Sequence, residues 1–197
     1  MYILGVTGNI GSGKTTVSQR LAEFGAVVSH SDDLAKEILQ NTPEIISQIC
    51  TRFGADILDE SGSVQTRLLA ERAFSSPGNQ KFLNGLIHPE VRKATLARIQ
   101  TARESACRLF VIDAPLLFEA GVDAITDSVL VVTASHIFRQ GRVEKRSQIR
   151  DNDFNRRDEL QLSIEEKIAR ADHVITNNGS LDDLMEKVDA LYRQLML

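Results

Sequence analysis

Gly8-Asn9-Ile10-Gly11-Ser12-Gly13-Lys14-Thr15-Thr16 is the stretch on which the reading of this 197-residue chain turns. It fits G-x-x-x-x-G-K-[ST], a loop that cradles phosphate groups with its backbone amides. The glycines let the backbone take positive φ and turn its N–H groups inward. Lys14 adds a mobile positive charge for the β- and γ-phosphates, and the Thr15 hydroxyl is a short neutral oxygen suited to Mg²⁺. Its context is the required one. Tyr2-Ile3-Leu4-Gly5-Val6 is an apolar strand leading in, and Thr15 to Phe24 follows as a helix with Val17, Leu21 and Phe24 on one face. That helix aims its first-turn amides and its dipole at the same anion.

Four further apolar runs read as strands: Ala26-Val27-Val28-Ser29, Leu109-Phe110-Val111-Ile112, Ser128-Val129-Leu130-Val131-Val132 and His173-Val174-Ile175-Thr176. None alternates cleanly, so both faces are buried, as in a parallel sheet covered by helices. The expected fold is α/β, a doubly wound five-stranded parallel sheet whose ligand crevice lies at the carboxyl ends of the strands. About eighty residues of helical periodicity separate the second and third strands, too many for a simple crossover. They read as a helical insertion, punctuated at Asn41-Thr42-Pro43, Asp59-Glu60-Ser61-Gly62 and Ser75-Ser76-Pro77-Gly78. A helix is expected to start near His88-Pro89, proline being favoured at the first helical position. Near the end, Ser180 with Asp183 reads as a capping box ahead of the apolar stripe Leu181, Leu184, Val188, Leu191 and Leu195.

Composition excludes several classes. The chain carries 42% hydrophobic and 25% charged residues, with no apolar run of the roughly 20 residues a bilayer span needs. No leader is recognisable at residues 1–6, which read as a core strand, so a cytoplasmic protein is expected. Cys50 and Cys107 stand alone and read as reduced thiols. A net charge of −4 and 5% aromatic content argue against nucleic acid as a partner.

The charge is uneven, however. Arg139, Arg142, Lys145, Arg146, Arg150, Arg156 and Arg157 crowd into 139–157, opposed within it by Glu144, Asp151 and Asp153. Beside a polyphosphate site such a run reads as a lid whose arginines close over a transferring phosphoryl group. A kinase also needs a group that holds the acceptor hydroxyl in line with the γ-phosphate. Asp32 and Asp33 follow the second strand and Asp113 the third, all three placed for the crevice, although Asp33 reads equally well as the cap of a helix beginning at Leu34.

Taken together, the glycine loop, Asp32-Asp33-Leu34-Ala35, Leu83-Asn84-Gly85-Leu86-Ile87-His88-Pro89, Asp113-Ala114-Pro115-Leu116-Leu117-Phe118-Glu119, Glu165-Glu166-Lys167 and Ala171-Asp172-His173-Val174-Ile175-Thr176-Asn177-Asn178-Gly179-Ser180 resemble the dephospho-CoA kinase family nearly end to end. The resemblance implies a P-loop, nucleoside monophosphate kinase-like fold. The implied reaction is transfer of the γ-phosphate of ATP, with Mg²⁺, to the 3′-hydroxyl of dephospho-CoA, the last step of coenzyme A synthesis. It implies Asp32, Lys14 and Arg142 as catalytic residues and Thr15 at the metal. Asn9, Gly11, Ser12, Gly13, Lys14, Thr15, Thr16, Arg142 and Asn177 fall where the family binds ATP. Asp32, Arg67, His88, Leu116, Leu117, Phe118 and Arg157 fall where it meets the acceptor. The implied organisation is a nucleotide-binding core at 1–33, 106–138 and 160–197, an acceptor-binding insertion at 34–105 and a lid at 139–159, with a monomer favoured.

The chain also departs from the family. Asp-Ala-Asp usually follows the second strand, whereas here it is His30-Ser31-Asp32, so any duty of the first aspartate is lost or passes to Asp33. Gly141 sits inside the expected lid helix at a cost of about 1 kcal/mol relative to alanine. Two other readings are weighed against a dephospho-CoA kinase. A kinase of a nucleoside monophosphate or small metabolite is separated by substrate screening. A nucleotide-dependent switch would carry Asn-Lys-x-Asp for guanine, where this chain has Thr176-Asn177-Asn178-Gly179.

Overall fold

The computed structural model of the chain describes residues 1–147, 158 and 161–197. Its sheet has five strands, β1 (Tyr2–Thr7), β2 (Val27–His30), β3 (Leu109–Asp113), β4 (Ser128–Thr133) and β5 (His173–Thr176). They run in the order β2-β3-β1-β4-β5, and every pairing is parallel. The continuous apolar runs are explained by burial on both sides. Leu4, Val6, Leu109, Val111, Leu130 and Val132 pack on one face with Val17 and Leu21 of α1 (Lys14–Glu23). Ile3, Phe110, Ile112, Val129 and Val131 pack on the other with Leu117 and Phe118. The first face is completed by Leu184, Val188 and Leu191 of the last helix, Leu181–Leu195, whose capping box from Ser180 to Asp183 is present as the sequence predicts.

The chain divides into two compact units, one of Met1–His30 with Ile99–Leu197 and one of Ser31–Arg98. The second is helical: α2 (Ser31–Asn41), α3 (Pro43–Phe53), α4 (Thr66–Ala73) and most of α5 (Pro77–Glu104). Its own core gathers Leu34, Ile45, Ile49, Phe53, Ile57, Val64, Leu69, Ile87 and Val91. The turn at Asp59-Gly62 forms because Asp59 Oδ1 accepts from the backbone N–H groups of Ser61 (2.8 Å) and Ser63 (3.0 Å).

Two local expectations are corrected. No helix starts at His88-Pro89. The N1 proline is Pro77, where the Ser76 hydroxyl accepts from the Asn79 amide at 3.2 Å, and Pro89 lies within α5. Proline inside a helix costs about 3 kcal/mol. Ile87 and Val91 on either side of it are both 7% exposed, and burying two such side chains contributes about 1.5–3 kcal/mol each, enough to carry the helix through. Asp33 is not a cap either. α2 begins at Ser31, which puts Asp32 and Asp33 in its first turn, where carboxylates suit the helix dipole, and Asp33 is paired with Lys36 at 3.0 Å.

Among the described residues, further helices are α6 (His136–Ser147), α7 (Ile164–Ala169) and α8 (Leu181–Leu195). Gly141 lies in α6, and a Cβ there would meet nothing within 4 Å. Gly141→Ala is therefore expected to stabilise the protein by about 0.5–1 kcal/mol. A thermal melt that fails to rise would show that the glycine's freedom is not a cost in the folded helix.

Candidate active site

β1 ends at Thr7 and α1 begins at Lys14, so the glycine loop spans the gap between a central strand and a helix N-terminus. Gly8, Gly11 and Gly13 have φ of 144°, 78° and 106°. Space forbids side chains as firmly as φ does: a Cβ on Gly8 would run into the Val132 carbonyl oxygen, and one on Gly11 would stand 2.5 Å from that of Arg139. Gly13 is the N-cap of α1 and gives no side-chain cap, and the first turn of α1 has no acidic residue. The helix start therefore points its positive dipole end at the loop with no first-turn carboxylate to offset it. The Lys14 ammonium curls back across the loop and donates to the carbonyls of Gly8 (2.8 Å) and Asn9 (3.3 Å). Thr15 and Thr16 occupy the first turn, both half-buried.

α6 and the loop after β5 both seat on this loop. Asn177, 5% exposed, donates from Nδ2 to the Ser12 carbonyl at 2.8 Å. Arg142 donates to the Asn177 carbonyl (2.9 Å), to its Oδ1 (3.2 Å) and to the Gly11 carbonyl (3.4 Å). Arg142 and Asn177, more than 120 residues downstream of the loop, thus meet at its backbone with Gly11 and Ser12.

Arg139 departs from the expected solvated or phosphate-facing cation. It is 8% exposed and grips Asp158 with two hydrogen bonds, 2.7 and 2.9 Å long. Asn9 donates to the same carboxylate at 2.9 Å. Burial opposes ionisation of Asp158, but the hydrogen bonds from Arg139 and Asn9 and the charges of Arg139 and His136 outweigh it and hold the carboxyl below the usual range. The Arg139 guanidinium faces this carboxylate, and the pair ties α6 to the glycine loop. Sequence reading missed Asp158 because a single aspartate after Arg156-Arg157 carries no local signal.

The pairing gives a test. A carboxyl whose folded-state pKa is depressed stabilises the fold above its unfolded value, about 3.9, and that contribution is lost as pH falls through the folded value. Asp158→Asn leaves Arg139 without its counter-charge. It is expected to cost about 2 kcal/mol at pH 7, lowering the melting temperature by about 4–8 °C, and to flatten the acid limb of stability against pH. An unchanged melt would mean the pair contributes nothing to stability.

Behind the loop, Lys167 of α7 is fully buried and donates to the Pro115 carbonyl (2.9 Å) and to Gln161 (3.1 Å), with Glu119 at 3.6 Å. Burial pushes its ammonium pKa down, against the pull of Glu119 and Asp158. A lysine three residues after Ile164, on the inward stripe of a short helix, was the available signal. Leu117 (0% exposed) and Phe118 (6%) are core residues of the sheet unit, while Leu116 is half-buried. Arg67, in α4, is 94% exposed in its side chain and bonded to Glu71 at 3.3 Å, and His88 lies half-buried in α5. Asp32 is exposed in the first turn of α2. Arg150, Arg156 and Arg157 lie outside the described residues.

An uncapped helix start and a lysine gathered at one glycine loop, in a sheet ordered β2-β3-β1-β4-β5, make this a P-loop kinase. Relatives narrow the class. The dephospho-CoA kinase family model matches residues 2–183. The chain is 40% identical over 192 residues to the dephospho-CoA kinase of Salinibacter ruber, covering 98% of this chain and 96% of that one. It is 38% identical over 196 residues to that of Syntrophotalea carbinolica, covering 100% and 93%. The crystal structure of TT1252 from Thermus thermophilus matches with a TM-score of 0.83 at 34% identity, covering 98% and 97%. The chain belongs to the dephospho-CoA kinase family. Its reaction is the ATP-dependent phosphorylation of dephospho-CoA to coenzyme A, the last step of coenzyme A synthesis.

Proposed function

We propose that the triphosphate tail of ATP lies in the glycine loop, against the amides of residues 8–15 and the start of α1, with Lys14 swinging from the loop carbonyls onto the β- and γ-phosphates. The observation that carries this reading is the α1 N-terminus, which has neither a capping side chain nor a first-turn carboxylate. Thr15 suits Mg²⁺, because that ion keeps several waters and takes the rest of its shell from phosphate oxygens and one or two protein oxygens. When bound, Mg²⁺ supplies neutralising charge to the β- and γ-oxygens. Asn9, Gly11, Ser12, Gly13, Thr16, Arg142 and Asn177 complete the ATP site.

Asp32, two residues past the end of β2, orients the 3′-hydroxyl of the acceptor. The helical unit receives dephospho-CoA, with Arg67 and His88 as contacts; Leu116, Leu117, Phe118 and Arg157 are further acceptor contacts in this reading. Residues 139–159 act as the lid, whose closure excludes water from the transferring phosphoryl group. We take the enzyme to work in the cytoplasm as a monomer; its two cysteines, Cys50 and Cys107, are free thiols. No described helix is long and apolar enough to cross a membrane.

The test is incubation with ATP, Mg²⁺ and dephospho-CoA, with coenzyme A followed by mass and Mg²⁺ removed by chelation in a parallel sample. Product that appears only with the acceptor and the metal is expected. ATP turnover indifferent to the acceptor would overturn the reading.

A further inference from the structure

His30 and Asp113 end neighbouring strands and face each other in register across the β2–β3 ladder. The imidazole Nδ1 lies 3.2 Å from the Asp113 Oδ2. A carboxylate only accepts, so the ring donates from Nδ1, and in the neutral ring the lone pair is left on Nε2. Burial is unequal. The Asp113 side chain is 6% exposed and that of His30 38%, so the carboxylate is held inside while the ring reaches solvent. Both residues stand at the carboxyl ends of the strands, the edge at which open α/β sheets bind ligands. Asp113 also pairs with Val6, and the Ala114 amide donates to the Val6 carbonyl at 3.0 Å, two residues before Gly8.

A buried carboxylate fixing one nitrogen of a histidine while the other stays open is the arrangement that lets histidine take a proton from a hydroxyl. We propose that His30, oriented by Asp113, is the proton acceptor of the phosphoryl transfer. As the bond between the acceptor oxygen and the γ-phosphorus forms, the bond from that phosphorus to the β–γ bridging oxygen breaks, and ADP leaves with its electron pair. The proton of the hydroxyl passes to Nε2, directly or through one water, and the imidazolium returns it to solvent before the next turnover.

This step stands beside the role of Asp32 and does not rest on it. Loose phosphoryl transfer leaves the proton on the hydroxyl until late, and an imidazole is a stronger base than a carboxylate by about 2.5 pKa units. The charged groups around β2 are accounted for. On α1, Arg20 is held by Glu23 and Asp189, and Lys14 lies on the Gly8 and Asn9 carbonyls. On β3 the facing group is Asp113, and Asp32 and Asp33 follow His30 in the chain.

His30→Asn separates proton uptake from scaffolding, because the amide nitrogen can still donate to Asp113 where Nδ1 did, with nothing in place of Nε2. With both substrates saturating, this variant is expected to lose at least tenfold in kcat at neutral pH, with each KM within threefold of wild type. Its log kcat should lack the rising limb with pH expected of wild type. His30→Gln, which reaches further but has no protonatable nitrogen, should behave the same way and serves if the asparagine variant fails to fold. Asp32→Asn should lower kcat at every pH and keep the limb, so failure of the Asp32 reading is told apart from failure of this one. Wild-type kcat and an unchanged limb in a folded His30 variant would overturn the proposal.

Discussion

Asp32→Asn lowers kcat by about two to four orders of magnitude while each KM stays within a few fold. The expectation comes from what the substitution keeps. Asparagine has the same size and still accepts a hydrogen bond through its carbonyl oxygen, so substrate binding survives. The negative charge is lost, and with it the pull on the acceptor hydroxyl as the oxygen becomes positive in the transition state. An interaction that grows only on the way to the transition state appears in kcat rather than in KM. Asp32 sits exposed in the first turn of α2, and its neighbour Asp33 supplies a second first-turn carboxylate, so the helix start keeps a favourable charge in the variant. Steady-state kinetics with each substrate varied in turn checks it. Near-normal kcat would move the orienting role to another carboxylate of the strand ends.

Gly8→Ala has the second large effect, and it should appear in stability as well as in activity. Two costs combine at this residue: a φ of 144° that L side chains rarely adopt, and a Cβ driven into the Val132 carbonyl. Val132 cannot yield cheaply, because it is paired with Ile175 in the β4–β5 ladder and fully buried. Strain and overpacking together cost about 4 kcal/mol, or a fall of roughly 8–16 °C in melting temperature for a chain of this size. Binding of a non-hydrolysable ATP analogue should be lost even below the lowered melting point. A variant that melts within 2 °C of wild type would show that the loop relaxes around the methyl group.

The sheet was legible because burial on both faces leaves a mark on the residues themselves: every one of the five apolar runs became a strand within a residue of its expected bounds. The glycine loop was legible for the same reason, since its geometry is demanded locally, residue by residue. Pro89 was misread because a local preference of about 3 kcal/mol lost to packing that involves Leu34, Ile45 and Ile49 far back in the chain. Arg139 shows the same limit. Its charge looked available for phosphate until a partner 19 residues later claimed it, and no periodicity relates the two. Lys167 with Glu119 and His30 with Asp113 are likewise pairings across 48 and 83 residues, made by strand order and helix docking rather than by any local motif.

The position of β1 in the middle of the sheet has a consequence for biosynthesis. Tyr2 pairs with Leu109 and Leu4 with Ser128, so β1 has no neighbour on either edge until residues 109 and beyond have been made. β1 cannot mature alone. Closure of such distant pairings is slow, and a nascent chain halted before residue 109 would present an apolar strand with two open edges, a species that invites chaperone capture or self-association during translation.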